Sequence, residues 1–224
     1  MSVKAEVHAH KGPKWLQHHF HTPTQQFEAA KLGMWVFLAQ EILFFSGLFV
    51  AYGVYRVEYP EAFAAGSAQL NKIMGAANTV VLLFSSLTAA LAVRSAQLGR
   101  REDVSRYLLI TIGCALIFMV IKYFEYSAKI EHGLLPGIHW NPKHLVGLSA
   151  PVEHMHVFFG VYFMLTGLHG LHVLVGIFVL AWIWVRNQRG EFSKDYWTPV
   201  DIAALYWHLV DLIWIYLFPL LYLI

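Results

Sequence analysis

Histidine can ligate a metal, carry a proton or join two helices by a hydrogen bond. The run Thr166 to Gly176, TGLHGLHVLVG, places His169 and His172 on one helix face in otherwise apolar sequence. Imidazole binds zinc, copper and iron, and a third histidine, His208, could face the pair, so metal or haem ligation is one chemistry open to them. The other is helix-to-helix hydrogen bonding, because an imidazole in hydrocarbon costs free energy until it finds a partner. No Glu-x-x-His pair lies inside an apolar stretch and no HExxH is present, so the di-iron and zincin patterns are absent. Gly160, Gly167, Gly170 and Gly176 flank the histidines and are expected to let neighbouring helices approach closely.

Other polar residues sit equally deep in apolar sequence. Glu41 lies in LAQEILFFSGLF, ten residues past Lys31 and fifteen before Arg56, near mid-membrane. A carboxylate at that depth costs a few kcal/mol, so the acid is expected to be protonated or hydrogen-bonded, either as a proton or ligand site or as a joint between helices. Lys122 and Glu125 in MVIKYFEYS are spaced to form an ion pair with each other. His208 and Asp211 in YWHLVDLIWIYLF lie one turn apart and are expected to hydrogen-bond inside the bundle, toward His169 or His172. Arg186 and Arg189 end an apolar run, where arginine reaches anionic headgroups, and Trp182 sits one turn below Arg186. Trp184, Tyr216 and Tyr222 belong to the same interfacial and packing aromatics. No catalytic constellation and no metal centre is assigned. The single cysteine, Cys114, excludes an intrachain disulfide and reads as a small buried hydrophobe.

The elements that position these residues follow from composition. Of 224 residues 58% are hydrophobic and 13% charged, with mean hydropathy +0.51, which marks an integral membrane protein. A hydrocarbon core of about 30 Å needs about 20 apolar residues of helix. Five stretches qualify, near 29–57, 73–94, 106–128, 154–186 and 200–224, the fourth long enough to tilt or project. They lack the alternation of barrel strands, so the expected fold is all-α with five transmembrane helices over 29–224. Residues 1–28 read as a polar tail carrying His8, His10, His18, His19 and His21, with no cleavable signal. Eleven lysines and arginines fall on one side: Lys4, Lys11, Lys14, Lys31, Arg94, Arg100, Arg101, Arg106, Arg186, Arg189 and Lys194. Four fall on the other: Arg56, Lys72, Lys129 and Lys143. That bias places the N-terminus in the cytoplasm and the C-terminus on the far side. The connection 129–153, with Pro136, Gly137, Pro142 and Pro151, is then exoplasmic. A net charge of +2 gives no reason to expect nucleic acid.

TGLHGLHVLVG followed by YWHLVDLIWIYLF resembles the last two helices of subunit III of haem–copper terminal oxidases, the cytochrome c oxidase type. LGMWVFLAQEILFFSGLFVAYGVYR resembles that family's helix with a membrane-buried glutamate, here Glu41. NTVVLLFSSLTAALAV and the span ending KYFEY match the helices between, and HHFHTPTQQFEAAKLGMW resembles the entry segment of bacterial members. The resemblance covers roughly residues 18–224 and departs from the seven-helix members in lacking their first two helices, as shorter bacterial forms do. It implies a multi-pass subunit of the bacterial inner membrane with no redox centre of its own. Haem and copper are expected in partner subunits, with subunit I and subunit II as neighbours and structural phospholipid in a cleft, held by Arg186 beside Trp182. An accessory subunit of a quinol oxidase or nitric oxide reductase would share these motifs. A stand-alone membrane metalloenzyme would instead require the histidines to converge.

Overall fold

Helix start signals lie ahead of the apolar runs, so the helices are longer than hydropathy alone suggests. The computed structural model describes residues 13, 15–137, 140–141 and 154–224. His8, His10, Lys4, Lys11, Lys14, Lys143, Pro142 and Pro151 lie outside the described residues. Among the described residues six helices follow in order: α1 (Pro23–Glu58), α2 (Pro60–Ala68), α3 (Lys72–Gln97), α4 (Arg101–Glu131), α5 (Met155–Gln188) and α6 (Thr198–Tyr222). All but α2 are long and apolar enough to cross a membrane. Thr22 caps α1 by accepting from the Gln25 amide at 3.1 Å, with Pro23 at the first helical position. The helix therefore begins at Pro23 rather than near 29, and its 36 residues exceed the 34 of α5, the stretch expected to be longest. At 1.5 Å per residue α1 runs about 54 Å, well beyond the hydrocarbon core.

The short α2 has no counterpart in the hydropathy pattern. Pro60 starts it and Glu61 stands in its first turn, a favourable sign at a helix N-terminus. Its Ala62, Phe63, Gly66 and Ser67 are buried, and Phe63 meets Phe158 of α5 edge to face at 5.3 Å. Lys129, expected as a loop cation, is instead buried and donates to the Gln69 carbonyl just past the end of α2.

Helices α3, α4, α5 and α6 form a closed ring in which each packs on two neighbours, while α1 lies outside against α5 and α6. Of these helices Phe118, Phe158, Phe159, Tyr162, Trp207, Trp214 and Leu217 are fully enclosed. Close approach is decided at Gly176, where a Cβ would stand 2.7 Å from Trp207 Cζ3. Gly160 and Gly170 meet nothing within 4 Å and Gly167 only the Tyr126 hydroxyl at 3.8 Å, so close packing at the α5 glycines is confined to Gly176. On α1 the buried positions Met34, Leu38, Glu41, Phe45 and Tyr52 form one narrow stripe. The rest of its surface is apolar and outward, with Leu43 72% and Val57 83% exposed, as a hydrocarbon solvent permits.

Candidate functional site

Among the described residues three polar contacts attach α1 to the ring. Near its start Lys31 pairs with Asp201 of α6 at 3.3 Å. At mid-length Glu41 Oε2 stands 2.9 Å from His172 Nε2 of α5. Toward its end the Tyr52 hydroxyl donates to the Leu220 carbonyl of α6 and accepts from Arg56 at 3.1 Å. The protonation of the middle contact follows from its other neighbour. His172 Nδ1 lies 2.8 Å from the Leu168 carbonyl, which can only accept, so Nδ1 carries a hydrogen. Nε2 then binds Glu41 either by accepting a carboxyl proton or by donating one to a carboxylate. Either way one hydrogen bond joins the two helices and the pair carries no net charge.

Between the first two contacts the helices part. A cavity of about 470 Å³ opens there among α1, α5 and α6, walled by Met34 and Phe37 of α1, Val175, Val179, Trp182 and Ile183 of α5, and Ile202, Ala203 and Tyr206 of α6. Arg186, Tyr196, Thr198 and Gln26 supply its polar lining. Tyr206 donates to the His172 backbone carbonyl at 3.0 Å, so the cavity's inner end adjoins the Glu41–His172 bond.

The end of α5 determines how Arg186 is presented. Gly190 takes φ 75° and its amide bonds the Asn187 carbonyl at 3.0 Å, while the Glu191 amide returns to the Arg186 carbonyl at 3.3 Å. This helix-ending turn needs a left-handed residue, which glycine adopts without strain, and it folds Glu191 back over Arg186. Arg186 Nε donates to Glu191 Oε2 at 2.6 Å, and Tyr196 stands close by. The guanidinium also stacks over Trp182 at 4.8 Å and Phe192 at 5.2 Å. Tyr196 is held by a tight turn bonded to Ser193 and by stacking on Trp15 at 4.9 Å. Sequence reading found Arg186 and Trp182 but missed Glu191 and Tyr196; the glycine just past the apolar run was the available signal for the turn.

Inside the ring Lys122 and Glu125 pair at 2.9 Å, as their spacing predicts. The ammonium also donates to the Tyr222 hydroxyl at 2.9 Å and the Tyr162 hydroxyl at 3.2 Å, and Tyr222 donates to the other Glu125 oxygen at 2.6 Å. Four rings, Tyr126, Tyr162, Trp214 and Tyr222, surround Lys122 at 5.1 to 5.6 Å. All three ammonium donors are thus used.

His208 and Asp211 do not reach His169 or His172, because the α3 serines are nearer. His208 Nδ1 bonds Ser86 Oγ at 2.7 Å. Asp211 lies beside Ser85 and Ser86. Ser85 is engaged with the Leu82 carbonyl and Trp207 Nε1 and Ser86 with His208, and among the described residues neither Asp211 oxygen has a well-formed hydrogen bond. His169 is fully enclosed, and among the described residues neither ring nitrogen has a hydrogen-bond partner; Phe118 and Trp214 lie against it at 5.5 and 5.4 Å. The three histidines thus turn to different neighbours, and among the described residues no three His, Cys, Asp or Glu side chains group as metal ligands.

Fold and site together define a polytopic helical membrane protein whose buried polar groups bond helix to helix around an apolar side cleft. The sequence matches the family Cytochrome c oxidase subunit III over residues 15–131 and 147–224. It is 30% identical to cytochrome c oxidase subunit 3 of Synechocystis over 92% of this chain and 78% of that one. It is 31% identical to the Corynebacterium diphtheriae protein of that name over 86% and 87%, and 31% identical to that of Loxodonta africana over 90% and 72%. The chain belongs to the cytochrome c oxidase subunit III family.

Proposed function

We propose that this chain is the non-redox subunit III of a bacterial cytochrome c oxidase, set in the inner membrane beside subunits I and II, which hold the haem and copper. Its part in O₂ reduction and proton pumping is to stabilise the catalytic subunit. The names of its relatives favour cytochrome c over quinol as donor. The basic residues at the α3–α4 turn and the α5 end support a cytoplasmic placement of that side. Within this reading the cleft beside α1 holds a structural phospholipid. The observation that carries it is a cavity of about 470 Å³ among three spanning helices, lined mostly by apolar side chains, with Arg186 in its lining. Acyl chains fit the apolar walls, and a phosphate fits a guanidinium already oriented by Glu191 and two aromatic rings.

Mass spectrometry of lipid retained by the purified complex tests this. Arg186→Ala is expected to lower tightly bound phospholipid and to make activity decay during turnover while the initial rate is kept. Equal retention in wild type and variant removes Arg186 from the lipid site and leaves it as a topology-setting charge.

A further inference from the structure

Helix α1 buries Met34, Leu38, Glu41, Phe45 and Tyr52 against the ring, and its opposite face carries a second pattern. Gly33, Gln40, Gly47 and Val54 recur every seven residues, with Val36, Leu43, Val50 and Val57 three places after each. This alternating three–four spacing is that of a left-handed helix–helix seam, and all eight residues are exposed. Its length, about 36 Å at 1.5 Å per residue, is enough to cross the hydrocarbon core. Apolar residues on a lipid-facing helix need no partner, so the informative position is Gln40. It lies nine residues past Lys31 and sixteen before Arg56, at mid-membrane, and among the described residues its amide has no hydrogen-bond partner. Acyl chains offer it none, whereas the nearby Ser46 hydroxyl is satisfied within its own helix by the Leu43 carbonyl at 2.6 Å. Gly33 and Gly47 stand seven residues to either side, and a Cβ on either would meet nothing within 4 Å. Packing within this chain therefore requires neither glycine, and both leave room for another helix backbone to approach Gln40.

The seam fits a second copy of itself. Copies of a membrane protein share one orientation, so two α1 helices related by a two-fold axis along the membrane normal run parallel. In a parallel pair each of Gly33, Gln40 and Gly47 stands against its own equivalent. Glycine then faces glycine, and Gln40 faces Gln40, whose amide both donates and accepts, so the two can bond each other. No charged residue lies in the seam to repel its copy. From α1 the side cleft takes Gln26, Ala30, Met34 and Phe37, none of them in the seam, so the contact is independent of what fills the cleft. We propose that the outward face of α1 is a self-association surface, joining two copies of this subunit, and with them two oxidase complexes, through a parallel α1–α1 contact centred on Gln40.

The test is disulfide scanning in native membranes, with haem absorption confirming that the oxidase is assembled. Cys114, the single native cysteine, is buried on α4, so the wild type supplies the background. Gln40→Cys, Leu43→Cys and Gly47→Cys are expected to give copper–phenanthroline-dependent dimers of the 25.6 kDa chain. Trp35→Cys, exposed on α1 but off the seam, is expected to give none above background. Gln40→Leu added to Leu43→Cys should lower the initial rate of dimer formation about three- to tenfold, the range of one interhelical hydrogen bond in a membrane. Gln40→Asn, which keeps an amide, should hold the rate closer to that of Leu43→Cys alone. Dimer yields at the seam no higher than at Trp35, adducts with a different chain in place of a second copy, or an unchanged rate with Gln40→Leu each overturn the inference.

Discussion

Removing the Glu125 carboxylate is expected to be among the most damaging single changes in this chain. Lys122 is 7% exposed, and its three donors go to Glu125, Tyr222 and Tyr162 at 2.9, 2.9 and 3.2 Å. In Glu125→Ala the ammonium keeps two phenol oxygens and four aromatic faces but no countercharge, and Tyr222 loses the acceptor it reaches at 2.6 Å. Breaking a buried pair in this way costs about 3–5 kcal/mol, whereas replacing both partners by apolar groups of similar size is about neutral. The paired replacement Lys122→Met with Glu125→Leu should therefore recover most of the loss. The assay is a double-mutant cycle on the thermal midpoint for release of this subunit from the complex, with haem absorption as control. A Glu125→Ala loss below about 1 kcal/mol, or a double variant costing the sum of the two singles, would refute the countercharge argument.

Glu41→Gln should assemble normally, because an amide can donate to His172 Nε2 as a carboxyl does, whereas Glu41→Leu strands His172 and should lower α1 docking by about 1–3 kcal/mol, read as protease sensitivity of α1. Loss of O₂ reduction in a fully assembled Glu41→Gln complex would contradict an accessory role. Gly176→Ala drives a methyl into the enclosed Trp207 ring and should cost about 1–3 kcal/mol, while Gly170→Ala, with open space at its Cβ, should be near neutral; equal thermal midpoints for the two would contradict the packing described. Gly190→Ala forces a side chain into φ 75°, 3.1 Å from Arg101, at a cost of about 1 kcal/mol or more, and should loosen lipid retention by displacing Glu191. Unaltered retention would separate the turn from the cleft.

What the sequence determined by itself was whatever depends on local chemistry and on the solvent. Apolar runs of sufficient length specify five spanning helices, because an unpaired backbone cannot cross hydrocarbon. The spacing of Lys122 and Glu125 specifies their pairing, because residues three apart on a helix are neighbours whatever surrounds them. Glu41, Arg186 and Trp182 stood out because polar and interfacial residues at known depth are few. Tertiary structure decided which helices those residues face. Glu41 meets His172, 131 positions away. His208 meets Ser86 across 122 positions, leaving Asp211 and His169 without the partners their spacing suggested. Helix α2 escaped notice because its nine residues are stabilised by contact with α1 and α5 rather than by length or hydropathy.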